Sequence, residues 1–135
     1  MSITDKIGAA KVASAIFTNN GHNSYVLRNE PNEAGAVSWA RINSEKYGLV
    51  HVTFTKKTES NHRFPLTPFT NDNQDWQVCT NHHLFVWPTS DGRFLFFLVE
   101  SELVNPTLGM TKKEVYKEKC SSWMKTVEEC QLILE

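Results

Sequence analysis

The sequence predicts an α+β fold: a mixed, mainly antiparallel sheet flanked by an N-terminal and a C-terminal helix. Three observations predict it. Within residues 5–17, Ala9, Val12, Ala13, Ile16 and Phe17 recur at helical spacing on one face. Between residues 24 and 99, short runs of Val, Ile, Leu, Phe and Tyr are punctuated by Asn-, Gly- and Pro-bearing turns, as in strands. From Thr111 onward the helical period returns.

The chain has 135 residues, which fits one domain, 1–135, with a single core. Hydrophobic residues make up 40% and charged residues 21%, a globular composition that excludes wholesale disorder. The 14 Lys and Arg nearly balance 15 Asp and Glu, for a net charge of −1. That excludes a global basic field, so any contact with nucleic acid has to come from a local patch. No apolar run approaches the roughly 18 residues of a membrane span, and no basic-then-apolar leader opens the sequence. The expectation is a cytoplasmic protein with no membrane partner. Cys79, Cys120 and Cys130 are odd in number and lack a C-x-x-C spacing. They read as buried thiols in a reducing compartment rather than as a disulfide framework or zinc knuckle.

The elements follow in order. Thr4 is the expected N-cap of the first helix, with Asp5 at its positive end. The narrow, Ala-rich face suits close packing on a sheet, and Asn19-Asn20-Gly21 supplies the C-cap. Residues 24–28, 36–42 and 49–54 read as three strands. A turn-rich connection, 29–35, and a hairpin-type loop, 43–48, join them. In the third strand Val50 and Val52 alternate with His51 and Thr53, so the two pairs must face opposite sides of the sheet.

Residues 55–73, polar and broken by Pro65 and Pro68, read as an irregular functional loop. Residues 75–81 read as a short helix or turn carrying Trp76. Residues 83–87 and 93–99 form a hairpin turned at Asp91-Gly92. Thr111-Lys-Lys-Glu114 has capping-box form. The expected final helix places Tyr116, Cys120, Trp123, Val127 and Cys130 on one stripe, with lysines 112–125 largely on its wet face.

This order of elements resembles restriction-endonuclease-like PD-(D/E)xK domains over nearly the whole chain. In that family an acidic residue opens the second core strand. The third strand carries an acid or Gln, one spacer and a Lys. The carboxylates hold Mg²⁺ and the Lys orients or activates the attacking water. Here the second strand, Ala36-Val-Ser-Trp-Ala-Arg-Ile42, has no acid. His51 and Thr53 fall at the family's active-site positions. Imidazole is a poor ligand for Mg²⁺, and Thr carries no charge. The resemblance therefore implies a degenerate site, with no catalytic residue, metal or cofactor. Glu30, Glu33, Glu45 and Asp75 are the acids a relocated metal site would have to draw together.

Lys56, Lys57, His62 and Arg63 cluster beside Phe64 and Phe69. Such a segment can neutralise phosphates and stack on bases, with Trp39 as a further stacking surface. His82 and His83, if on a strand, point to opposite faces and cannot share a metal. In a turn, either could join Cys79 and His51 or His62 in a soft-metal site. The function expected is a non-catalytic nucleic-acid-binding or accessory protein on a degenerate endonuclease-like scaffold. One alternative is a protein-interaction module, immunity-like or regulatory and open to homodimerisation, with an exposed apolar patch near Trp87, Phe94 or Trp123. The other is a metal-dependent nuclease with relocated acids.

Overall fold

A computed structural model of the chain describes residues 3–37, 39–56, 80–104, 110–111, 114–115 and 121–134, with only the backbone described for 121–124. Helix α1 spans Lys6–Asn19. Its N-cap is Asp5 rather than the expected Thr4: the Asp5 backbone is extended and its carboxylate accepts from Gly8 N at 2.8 Å. A carboxylate there both caps an orphan N–H and meets the positive end of the helix, which a hydroxyl does not do. At the other end Asn20 N donates to Ile16 O and Phe17 O, and Gly21, at φ +89°, turns the chain away.

Six strands follow: β1 Ser24–Arg28, β2 Ala40–Ser44, β3 Gly48–Phe54, β4 His82–Pro88, β5 Arg93–Glu100 and β6 Ser121–Thr126. They lie in the sheet in chain order. All neighbours are antiparallel except β3 and β4, which are parallel. A second helix, α2, covers Val127–Leu134. The class is thus the expected α+β: a mixed sheet flanked by an N-terminal and a C-terminal helix.

Two boundaries differ from the expectation for identifiable reasons. The second strand starts at Ala40, not Ala36. The Asn32 side chain accepts from Ala34 N and Ala36 N, and Asn29 Oδ1 accepts from Trp39 N at 3.1 Å. These side-chain bonds bend residues 29–36 into a turn that cannot join a ladder. The larger correction is at the C-terminus. The capping box forms, with Thr111 N donating to Glu114 Oε1 and Glu114 N to Thr111 Oγ1. Trp123, however, lies on strand β6 opposite Phe96, not on a helical stripe. The stretch has helical spacing, but β5 is buried on both faces and its open edge needs a partner ladder, so pairing overrides the period. Helix α2 then starts from a second capping box, Thr126 with Glu129, bonded reciprocally at 3.2 Å.

One face of the sheet packs on both helices. Ala9, Val12, Ala13, Ile16 and Phe17 meet Ile42, Val50, Val52, Leu84, Val86 and Phe96, with Cys130 of α2. Burial pushes the Cys130 thiol up to about 11, so it is an inert core group. On the opposite face Phe85, Trp87, Leu95, Phe97 and Val99 pack with Val104, Met110 and Val115. Trp87 lies 5.1 Å from Phe97, nearly parallel to it. The run Phe94 to Val99 is apolar throughout because β5 is enclosed on both faces.

The β4–β5 turn is held by Thr89 N donating to Arg93 O, by the Thr89 hydroxyl on Asp91, and by Arg93 Nη2 at 2.8 Å from Asp91. The Arg93 guanidinium, then the Thr89 hydroxyl, hold the Asp91 carboxyl down at about 2.

The seam between β3 and β4 is fastened at its start by Asn81. Its side chain accepts from Leu49 N at 3.0 Å and its N–H donates to Leu49 O at 2.8 Å. Its carbonyl accepts from Ser101 N at 3.0 Å. Gly48 sits directly beneath, at φ +73°, where a Cβ would lie 2.8 Å from Asn81 Cγ. Gly48→Ala is expected to lower the urea-unfolding free energy by about 2 kcal/mol or more. Gly35→Ala, at φ +82° with nothing within 4 Å, should lose only about 1 kcal/mol. Equal losses at the two sites would remove the clamp from the explanation.

Candidate functional site

Alternation along β2, β3 and β4 places Arg41, His51, Thr53 and His83 on the face away from the helices. The register sets Arg41, His51, His83 and Val99 in one row across the sheet. His51 and Thr53, expected from the resemblance at active-site positions, share a face, as the alternation requires. His51 is 2% exposed, His83 3% and Thr53 4%. The two imidazole rings meet edge to face at 5.5 Å, and His83 stacks on Phe85. The Thr53 hydroxyl is buried with no hydrogen-bond partner among the described residues.

Both imidazoles are held neutral. Burial, then His82, lowers His83 to about 4. Burial pulls His51 well below the usual histidine range, and His83, Lys6 and Arg41 add positive surroundings. Desolvation disfavours a buried imidazolium, and nearby cations disfavour it further.

Toward β1 the same face opens. The Arg41 guanidinium lies 4.1 Å over the Trp39 ring. Leu27 stands opposite Arg41 and Tyr25 opposite Asn43, whose amide donates to the Tyr25 hydroxyl at 2.8 Å. Tyr25 is 57% exposed and Leu27 36%. Lys56 is exposed where β3 ends. The covering residues Val104, Met110 and Val115 pack with β4 and β5, so the face runs from a covered half to an open half.

Of the residues singled out from the sequence, Lys56 is exposed just past β3, and Lys57, His62, Arg63 and Phe64 lie outside the described residues. So do Asp75 and Cys79. Glu30, Glu33 and Glu45 are exposed in turns. Among the described residues no group of three or more His, Cys, Asp or Glu could hold a metal ion. His82 lies on the helix-bearing face, its Nδ1 2.8 Å from Tyr47 O, so the two adjacent histidines do point apart. Trp87 and Phe94 are buried, at 4% and 5% exposure, and present no apolar patch; the side chain of Trp123 is not among those described.

A shallow cleft of about 350 Å³ lies between Thr80–His82 and Glu100–Glu102; its two carboxylates make it unlike a phosphate site. The sequence does not single out Arg41, and it marks His83 only as a candidate metal ligand in a turn. Alternation from Arg41 along β2 was the available local signal; the place of His83 beside His51 follows only from the β3–β4 register. No helix among the described residues is long and apolar enough to cross a membrane. Compared with family models, curated proteins and solved structures, the chain matches none.

The histidines set a pH dependence of stability. Their folded-state values lie below the unfolded value of about 6.5, so the unfolded chain binds protons first. The stability they permit is fully present above pH 6.5 and is lost as pH falls toward about 4, where His83 titrates in the folded state. For His83 alone the span corresponds to on the order of 3 kcal/mol. Urea midpoints should fall steeply over that window, and His83→Phe should flatten the fall. Parallel profiles for the two proteins would contradict it.

Proposed function

We propose that the protein is a non-catalytic nucleic-acid-binding or accessory protein on a degenerate endonuclease-like scaffold, and that it binds through the open half of the second face. The observation that carries this reading is the Arg41 guanidinium stacked on Trp39 beside exposed Tyr25. A planar cation on an aromatic ring offers a phosphate partner and a stacking surface in one unit. Lys56 adds an exposed cation at the end of β3, and the basic and aromatic residues Lys57, His62, Arg63 and Phe64 follow it in the sequence. With a net charge of −1, such a local grouping is the form that phosphate recognition has to take.

The non-catalytic part rests on the chemistry of the family's active-site positions. His51 and Thr53 are buried and neutral, and neither is an acid able to hold Mg²⁺. The test is fluorescence anisotropy with labelled single- and double-stranded DNA and RNA across a salt series. Affinity should fall steeply with salt, and Lys56→Ala should reduce the log–log slope by about 1. Trp39→Leu and Arg41→Ala should each weaken binding by about tenfold, in keeping with about 1–3 kcal/mol per stacked base. Salt-insensitive binding, or binding indifferent to both substitutions, would overturn the reading. Mg²⁺-dependent cleavage would overturn its non-catalytic part.

A further inference from the structure

We infer that strand β1 is the seat of a two-fold interface with a second copy of this chain. β1 is the end strand of the sheet, and among the described residues one side of its backbone has no strand neighbour. Which groups face outward follows from one hydrogen bond. Glu45 N donates to Asn23 O at 2.9 Å, just before β1 in the same register. In an antiparallel ladder the residues bonded to a given neighbour alternate. Asn23, Tyr25 and Leu27 therefore direct their backbone groups to β2, and Ser24, Val26 and Arg28 direct theirs outward.

That alternation selects a self-pairing. An antiparallel two-fold centred on Val26 sets Val26 against Val26 of the second copy, and Ser24 against its Arg28. Every outward N–H and C=O of the three residues then finds a partner, whereas a register shifted by two residues leaves one of them unpaired. A one-residue slip opposes outward groups to inward ones and pairs none.

The side chains agree with the backbone. Tyr25 comes to lie across from Leu27 of the second copy, twice by symmetry, as an aromatic–aliphatic cross-strand pair. These are two of the four exposed large apolar side chains among the described residues, Leu103 and Leu132 being the others. No like charges are opposed: Arg28 meets Ser24, and each His22 comes to the end where the other copy carries Glu30. The edge also lacks the usual guards against pairing. It has no Pro, no bulge in its five-residue register and a single charged residue, Arg28. Such self-complementarity defines an isologous interface.

A five-residue strand pair buries less than the roughly 1,200 Å² of a standard interface, so the dimer is expected to be weak, with a micromolar Kd. The inference does not depend on nucleic-acid binding. Sedimentation velocity of the full chain, from low micromolar to submillimolar concentration, tests it. The wild type should shift from monomer to dimer over that range. Val26→Pro removes an outward N–H that β2 does not use, a substitution an edge strand tolerates. It should weaken dimerisation by about tenfold or more, as should Leu27→Lys. Far-UV circular dichroism confirms folding, and if Val26→Pro unfolds, Leu27→Lys decides. A wild type that stays monomeric throughout, or folded variants that dimerise as well as it does, would overturn the inference.

Discussion

The parallel pairing of β3 with β4 joins two antiparallel three-stranded units, and its register determines what each face of the sheet carries. With His51 opposite His83, Val50 and Val52 fall in line with β4 positions that meet the helices, and both imidazoles fall on the other side. A slip of one residue would turn His83 and Phe85 toward α1 and bring Leu84 and Val86 out of the helix-bearing core. Parallel ladders draw no help from a tight turn, so this register needs another restraint. Asn81 supplies it, bonding Leu49 through both backbone and side chain and bonding Ser101 beyond β5. The absence of a side chain at Gly48 is what leaves room for that clamp.

Once the seam is set, the two faces diverge. The helix-bearing face is apolar and close-packed, with small residues on α1 that bring helix and sheet together. The second face changes along the sheet. Its β4–β5 half is a covered apolar cluster, its middle a buried polar row, and its β1–β2 half is open. Burying imidazoles is tolerable because each can be neutral, where a buried lysine or carboxylate in the same row would need a partner of opposite charge. The polar row is thus a compromise between enclosure and charge, and it holds only while the histidines remain unprotonated.

The fold was legible wherever a local pattern and the tertiary demand agreed. The period of α1, the alternation in β3, the Asp91-Gly92 turn and the Thr111–Glu114 capping box each appear where the residues place them. The pattern failed where a distant need outweighed it. Residues 121–126 carry helical spacing, yet the exposed ladder of β5 recruits them as a strand, and no local signal encodes that edge. Residues 36–39 carry strand-forming side chains, yet Asn32 and Asn29 bend the chain ahead of them. For the site, alternation correctly put His51 and Thr53 on one face. Arg41 and His83 complete the row through cross-strand register, which depends on pairing and not on sequence spacing.

What occupies that row bears on the chemistry the scaffold can support. A Mg²⁺-dependent site concentrates negative charge, because the hard cation is held by carboxylate oxygens. The environment of His51 has the opposite sign: Arg41 and Lys6 raise the local potential enough to disfavour even a second proton on the imidazole. A divalent cation would meet that potential as well as the desolvation of the buried face. A phosphate group would meet it favourably, and Arg41 reaches from the buried row to the open surface where its guanidinium covers Trp39. The electrostatics around His51 therefore disfavour a divalent cation and are of the sign that suits an anionic group.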